Sequence, residues 1–372
     1  MSGLNFHTLQ IAKVIPETPD ASSIVFRPSE AQRSRFDYRP GQFLTLRIPS
    51  DQGPAARCYS LSSSPHSDTD LTITVKRTRD GFGSNWLCDN AGTVGTVDVL
   101  EPSGTFTPSS LDENFLLVAG GSGITPVMSI VKSVLAAGNG TVTLIYANRD
   151  EKSVIFADTL ASMAAEHPER LTVLHWLESV QGLPTAAAVD ALVRGRAVDS
   201  VFVCGPKPFM KAVRETETWR SLPRSSVHIE RFASLGGDPF EGTEKFEVGD
   251  LEGGDLEGGA DSSDLLDAGP ADSPAAESAS TTSLTVTLDG DTRSFEWPRD
   301  VALLDFLEAK GLAAPSSCRE GICSACECRI LDGKVDMRNN QVLEEEDLAD
   351  GYALACQSRP LTDTVTVTYD DE

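Results

Sequence analysis

The sequence predicts a multidomain protein: an antiparallel β-barrel, then an α/β domain on a parallel sheet, then a smaller α+β domain. Three observations carry this. At 372 residues the chain exceeds one ordinary domain. Its hydrophobic pattern changes from short alternating segments to buried runs separated by helical ones, and then to a mixed pattern. Five of its eight cysteines, Cys318, Cys323, Cys326, Cys328 and Cys356, crowd the C-terminal part.

The first region runs from Leu9 to about Pro108. FLTLRI, LTITVKR and GTVDVL alternate between Gly, Pro and Ser turns, which suits a small antiparallel barrel. From Asn114 to about Phe232, FLLVAG, TVTLIYA, LTVLHW and SVFVCG read as buried strands. MSIVKSVLAAG, VIFADTLASMAAEH and PFMKAVRETETW read as the helices between them, so a parallel sheet covered on both faces is expected. Residues 233–281 are rich in Asp, Glu, Gly, Ser and Pro, repeat DLEGG, and carry Lys245 as their sole basic side chain. Such a stretch cannot bury enough surface to offset chain entropy, which predicts a disordered acidic linker. About 45 such residues span roughly 35–40 Å r.m.s.. Beyond it, LTVTLDG and SFEW predict a hairpin, VALLDFLEAKG an amphipathic helix, and ECRILDGKV and TVTVTY the strands around the cysteine loop. The domain boundaries drawn from this are 1–111, 112–232, 233–281 and 282–372.

Composition excludes several function classes. The net charge of −25, from 56 acidic and 31 basic residues, repels phosphate backbones and argues against nucleic acid. No apolar run approaches the roughly 18 residues that cross a bilayer. The opening MSGLNFHTLQIAKV lacks the basic head and apolar stretch of a secretory signal, so a cytoplasmic protein with no membrane partner is expected. Clustered cysteines there point to metal or redox chemistry.

The strongest chemical signal is SSCREGICSAC followed by LACQSRP. Cys318, Cys323 and Cys326 are spaced C-x4-C-x2-C, and Cys356 follows about thirty residues later, the plant-type spacing for a [2Fe–2S] cluster. Zinc knuckles pair two C-x2-C units, and only one such interval occurs here. Gly321, Ser324 and Ala325 supply small residues where the backbone turns inward, with N–H groups facing the sulfurs. Cys328 reads as a small buried residue, and Arg319 as a loop-capping or partner-docking cation. The segment, with VLEEEDL and GYALACQSRP, resembles plant-type ferredoxins, which implies a β-grasp fold.

RCYSLSSSP, Arg57 to Pro65, lies where a barrel strand should end. A guanidinium pairs bidentately with a pyrophosphate. Tyr59, two residues on, points the same way and can lie against a flat ring, and Ser60 can hydrogen-bond a ring nitrogen. In VKRTRDGFGSNWL, Gly81 and Ser84 sit at a helix start where backbone can approach phosphate. GGSGITP, Gly120 to Pro126, and CGPKPFM, Cys204 to Met210, each follow a strand and open a helix.

In this order the motifs resemble the ferredoxin–NADP reductase superfamily. The resemblance implies that Arg57, Tyr59 and Ser60, with Val75 and Lys76, contact the flavin, and that Gly81 and Ser84 hold its pyrophosphate. It implies that Gly120, Gly121, Gly123 and Thr125 receive the nicotinamide nucleotide, with Cys204, Gly205 and Pro206 near its ring. Glu230 and Phe232 would close over the flavin, and Tyr59, Ser60 and Cys204 are the candidates nearest the chemistry. A second pyrophosphate-binding segment favours FAD over FMN.

A ferredoxin-like domain after the reductase resembles the reductase components of multicomponent oxygenases. YANRDEKSVIF, LTVLHWLESVQGLP, SCREG and LACQSRPLTDTVTVTYDDE are most similar to those of the 3-ketosteroid 9α-hydroxylases. That resemblance implies electrons taken from NADH through FAD and [2Fe–2S] to a Rieske-type oxygenase. Reductases of phenylacetyl-CoA epoxygenases and phthalate-type oxygenases share the domain order, the latter using FMN. After TVTLIYA, Asp150 and Glu151 would repel a 2′-phosphate whereas Arg149 and Lys152 could bind it, and the resemblance favours NADH. His167 and His175 read as structural. A redox-sensing protein without turnover is the rival from another class, and the paired flavin and nucleotide motifs argue against it.

Overall fold

The computed structural model describes residues 6–50, 53–79, 81–232, 281–316, 319–321, 324–343 and 345–370. The predicted linker lies outside the described residues, except for Thr281, which opens a strand. Cys318 and Cys323 also lie outside them.

The first domain comprises β1 (His7–Thr18), β2 (Ala21–Arg27), β3 (Phe43–Ile48), β4 (Ala55–Ser60), β5 (Leu71–Lys76), α1 (Phe82–Val94) and β6 (Thr96–Val99). Its strands form one antiparallel sheet in the order β4-β3-β6-β1-β2-β5. A bridge between Leu61 and Ile73, with Ser62 N–H donating to Thr72 O at 2.7 Å, draws the two edges together. Leu9, Ile24, Phe26, Leu46 and Ile73 fill the interior, and Leu87 and Ala91 of α1 join the same core. Drawing the edges together removes the exposed pairing surface that an open sheet this small would carry.

The second domain comprises β7 (Asn114–Gly120), α2 (Ile124–Ala137), β8 (Thr141–Asn148), α3 (Ala157–Glu166), β9 (Leu171–Leu177), α4 (Glu178–Gln181), α5 (Ala186–Val193), β10 (Ser200–Cys204), α6 (Lys207–Arg214), α7 (Glu217–Ser221) and β11 (Val227–Glu230). The sheet order is β11-β10-β7-β8-β9, parallel throughout. Separate hydrophobic clusters cover its two faces, which is why its strands are apolar without alternation. The chain leaves β7 towards β8 and later returns to the other side of β7 with β10, so a topological switch point lies between β7 and β10.

Two helices differ from expectation. PFMKAVRETETW forms two helices rather than one, because Thr216 caps the second. Its hydroxyl donates to Val213 O at 2.7 Å and accepts from Trp219 N–H at 3.1 Å. VIF does not open α3. Val154, Ile155 and Phe156 are buried beneath a turn, and α3 starts only after Phe156, in left-handed conformation with φ 63°.

The third domain comprises β12 (Thr281–Leu288), β13 (Asp291–Pro298), α8 (Leu303–Ala309), β14 (Glu327–Asp332), β15 (Val335–Met337), α9 (Glu345–Ala349), β16 (Tyr352–Leu354), β17 (Ser358–Pro360) and β18 (Thr364–Thr368). The main sheet runs β13-β12-β18-β14-β16, with the first and last strands of the domain paired in parallel. Asp289 and Gly290 take φ 55° and 79° in the β12–β13 turn, the left-handed pair that a tight hairpin requires. Trp297, fully buried, donates from its indole to Val301 O at 2.9 Å and anchors α8 over the sheet.

Candidate active site

At the barrel end, β4 presents Arg57 and Tyr59 two residues apart, and the start of α1 lies against both. A Cβ on Gly83 would stand 2.8 Å from Arg57 Cγ, 3.1 Å from Ile48 Cδ1 and 3.2 Å from Tyr59 Oη. Only glycine permits this approach, which brings helix-start N–H groups to the guanidinium and the phenol. Gly83 is absent from the sequence-derived set, although it is the second glycine of DGFGSN. Burial pushes the Tyr59 phenol well above its usual range, so it acts as a neutral ring and O–H donor. Ser60 is buried. Ser84 Oγ accepts from Thr78 N–H at 3.1 Å, tightening the turn headed by Gly81. Val75 is a barrel-core side chain and offers a ligand only its backbone.

Lys76 joins the barrel to the second domain. Its ammonium lies 3.9 Å from Asp20, and a Cβ on Gly121 would be 3.8 Å from Nζ. Burial lowers its pKa. Gly121 has φ 55°, and its carbonyl accepts from Tyr146 Oη at 3.1 Å.

The two glycine motifs of the second domain meet at the switch point. A Cβ on Gly123 would stand 2.0 Å from Cys204 O, and one on Gly120 2.8 Å from Pro206 Cδ. One on Gly205 would be 3.0 Å from Gly120 N. Backbone therefore packs on backbone where α2 begins. Thr125 donates to Ser122 O at 3.1 Å and serves the loop itself. Cys204 is 1% exposed, and burial beside Glu230 pushes its thiol well up, so it stays neutral. Glu230 is its register partner on β11. Burial, and Glu327 of the third domain, push the Glu230 carboxyl up to about 8, while Arg231 N–H donates to its Oε1 at 3.1 Å. Phe232 is half exposed, at the last described position of the second domain.

Sequence reasoning assigned no role to Asn148, although it lies in YANRDEKSVIF. It is buried at the carboxyl end of β8 beside the Tyr146 phenol, and neither of its side-chain polar atoms makes a hydrogen bond of ordinary length and angle among the described residues. Arg149 turns to the barrel, 3.2 Å from Asp20, and Asp150 is held in a capping box with Ser153.

In the third domain, Cys326 and Cys356 are 2% and 9% exposed, and the Cys356 N–H lies 3.5 Å from Cys326 Sγ. Arg319, Gly321 and Ser324 all have positive φ, wrapping the loop. Cys328 Sγ instead donates to Ala353 O at 3.6 Å inside the core, as a structural residue does. Arg319 pairs with Asp305 at 3.1 Å and with Glu308, both on α8, so it caps the loop.

These residues fit the groups implied. The Gly83 cradle beside Arg57 and Tyr59 suits a flavin pyrophosphate and ring. The buried Asn148 amide and the glycine junction face the carboxyl edge, where α/β sheets bind nucleotides. Two buried thiols, one accepting a backbone N–H, suit an iron–sulfur cluster.

Comparison with known proteins agrees. Residues 9–107 match the oxidoreductase FAD-binding domain family, 117–215 the oxidoreductase NAD-binding domain family and 286–361 the 2Fe-2S iron-sulfur cluster binding domain family. The ferredoxin reductase component of 3-ketosteroid-9-alpha-monooxygenase from Mycolicibacterium smegmatis is 52% identical over 98% of this chain and 97% of its own. Its Mycobacterium tuberculosis counterpart is 51% identical over 98% and 96%. A component of the 1,2-phenylacetyl-CoA epoxidase of Escherichia coli is 30% identical over 98% of each chain. Among solved structures, a phthalate dioxygenase reductase aligns over 98% of each chain with TM-score 0.54 and 25% identity. No helix among the described residues is long and apolar enough to cross a membrane. With half its residues shared over nearly its full length, this oxidoreductase belongs to the family of 3-ketosteroid-9-alpha-monooxygenase ferredoxin reductase components.

Proposed function

We propose that the chain takes hydride from NADH at FAD and passes electrons singly through a [2Fe–2S] cluster to a Rieske-type oxygenase acting on a 3-ketosteroid. The FAD site falls within 1–111, the nucleotide site within 112–232 and the cluster, on Cys318, Cys323, Cys326 and Cys356, within 282–372. The observation that carries this is the hydrogen bond from Arg231, the residue after Glu230, to Val342 O of the third domain, at the nucleotide edge where the charge of Glu327 is felt by Glu230. It supports a path in which the third domain receives electrons beside the nucleotide edge.

When bound, the flavin supplies the exchange between two-electron and one-electron chemistry. The chain's own groups bind and orient. Arg57 and the α1 start hold pyrophosphate, and Tyr59 and Ser60 flank the ring. Gly120, Gly121, Gly123, Gly205 and Pro206 shape the nucleotide crevice, and Lys76 faces it beside Gly121. Cys204 and Glu230, both neutral near pH 7, keep negative charge away from the reacting ring. NADH is favoured over NADPH because Arg149, the cation of this loop that a 2′-phosphate could use, is tied to Asp20, and the acidic Asp150 and Glu151 follow it. The oxygenase reading rests on the steroid-oxygenase relatives, whose identity is well above that of the epoxidase component.

Anaerobic titration with NADH, and in parallel NADPH, followed by visible absorbance and low-temperature EPR, tests this. The expected result is flavin bleaching and a rhombic [2Fe–2S] signal at far lower NADH than NADPH. Flavin reduction with no cluster signal would remove the electron path, and no flavin at all would sink the reductase reading.

A further inference from the structure

Gln357 follows Cys356 in the turn between β16 and β17. Its main chain is pinned on both sides: its N–H donates to Leu354 O at 2.9 Å and its carbonyl accepts from Arg338 N–H at 3.2 Å. Its side-chain amide Nε2 lies 2.7 Å from Arg319 O, in the cysteine loop, and 3.5 Å from Cys356 Sγ. An amide NH2 carries two hydrogens and can serve both acceptors at once. The stem of the same side chain lies under Gly321, where a Cβ would come within 2.9 Å of Gln357 Cγ and 2.3 Å of Asn339 O. The loop therefore rests on Gln357 through the one residue without a side chain.

Two further donors hold the neighbouring loop carbonyls. Asn339 Nδ2 donates to Glu320 O at 2.5 Å, and Gln341 N–H to Gly321 O at 3.0 Å. Across a trans peptide the next N–H points opposite to the carbonyl, so the bonds to Arg319 O and Glu320 O also fix where the Glu320 and Gly321 N–H groups aim. Among the described residues, Asn339 makes no hydrogen bond to a cysteine sulfur, and Gln357 alone of these side chains does.

We propose that Gln357 is a positioning residue of the cluster site: it ties the cysteine loop to the fourth ligand and donates a hydrogen bond to the Cys356 sulfur that raises the cluster's reduction potential. The inference rests on the reading that Cys318, Cys323, Cys326 and Cys356 hold a [2Fe–2S] cluster. Reduction adds one electron, and the extra negative charge spreads onto the sulfurs. An N–H directed at a sulfur therefore stabilises the reduced state more than the oxidised one.

The test is an EPR-monitored redox titration of the full-length holoprotein and two near-isosteric variants. Gln357→Met keeps the stem and loses both donors. It should shift the one-electron equilibrium about tenfold towards the oxidised cluster, ~59 mV lower, with the flavin potential unmoved. Asn339→Leu loosens the loop without removing a hydrogen bond to a described sulfur, so its cluster potential should stay near that of wild type while cluster loss on chelator challenge quickens. An unshifted potential in Gln357→Met, or an equal shift in Asn339→Leu, would overturn the proposal. A second measurement does not depend on a variant assembling its cluster. Wild type labelled with 15N in glutamine side chains should show a nitrogen hyperfine coupling in the reduced state, and its absence would also overturn the proposal. A missing [2Fe–2S] signal in wild type would defeat the cluster reading itself, a distinguishable failure.

Discussion

Glu230 shows how burial at one residue sets a pH response. Its carboxyl is 6% exposed and holds its proton to about pH 8, against 4.5 in an unfolded chain. Between those values the folded state carries a proton that the unfolded state has lost. The stability this contributes is fully present below about pH 4.5 and is lost as pH rises through about 8, at about 1.4 kcal/mol per pH unit within that window. Glu230→Gln should flatten that part of the profile, measured as thermal midpoints of the holoprotein from pH 5 to 9. An unchanged slope would assign the pH dependence to other groups. Gly83 and Asn148 belong to the same scale. One is needed because two side chains crowd a helix start, the other because a buried amide lacks a hydrogen bond of ordinary length and angle among the described residues.

At the scale of elements, the α6–α7 break is the informative case. Apolar periodicity runs through PFMKAVRETETW, but Thr216 closes one helix and caps the next with a single hydroxyl. Thr216→Val keeps the shape and removes both bonds, and should cost about 1 kcal/mol. Faster amide exchange at Trp219, with β10 unaffected, is the expected signature. Strands β3, β5 and β6 were legible because FLTLRI, LTITVKR and GTVDVL alternate locally, and FLTLRI matches β3 residue for residue, whereas β1 and β2 were not singled out. The glycine motifs were legible as strand-to-helix turns. Their interlocking was not, because it depends on β10 returning beside β7.

For the whole molecule, hydrogen bonds from each of the other two domains reach the third among the described residues. Ser103 Oγ of the barrel donates to Ser316 O at 3.0 Å, and Arg231 Nη1, after β11, donates to Val342 O. Between them lies a largely polar cavity of about 1390 Å³, lined by Arg39 and Glu101, by His228 and Arg231, and by Asp289 and Arg329. Such a seam behaves as a docking surface more than as a shared core. Ser103→Ala combined with Arg231→Met should speed deuterium uptake at Ala313–Ser316 and Gln341–Leu343, and slow electron passage to the cluster in stopped-flow. Unaltered uptake in both segments would show that other contacts hold the domain.

The sequence by itself determined the three-domain order and marked the cysteine loop and the flavin and nucleotide motifs. Each of these is written in local spacing: alternation for strands, C-x4-C-x2-C for the cluster loop, glycine turns at strand ends. Tertiary structure alone decided which of those pieces meet. It placed Glu230 against Cys204 and where the charge of Glu327 is felt, Gln357 between the loop and the fourth cysteine, and Lys76 beside Gly121. The reason is physical: a pKa, a sulfur hydrogen bond or a backbone-on-backbone contact depends on distances between segments far apart in the chain. Those distances are set by strand order and domain packing, which no local pattern encodes.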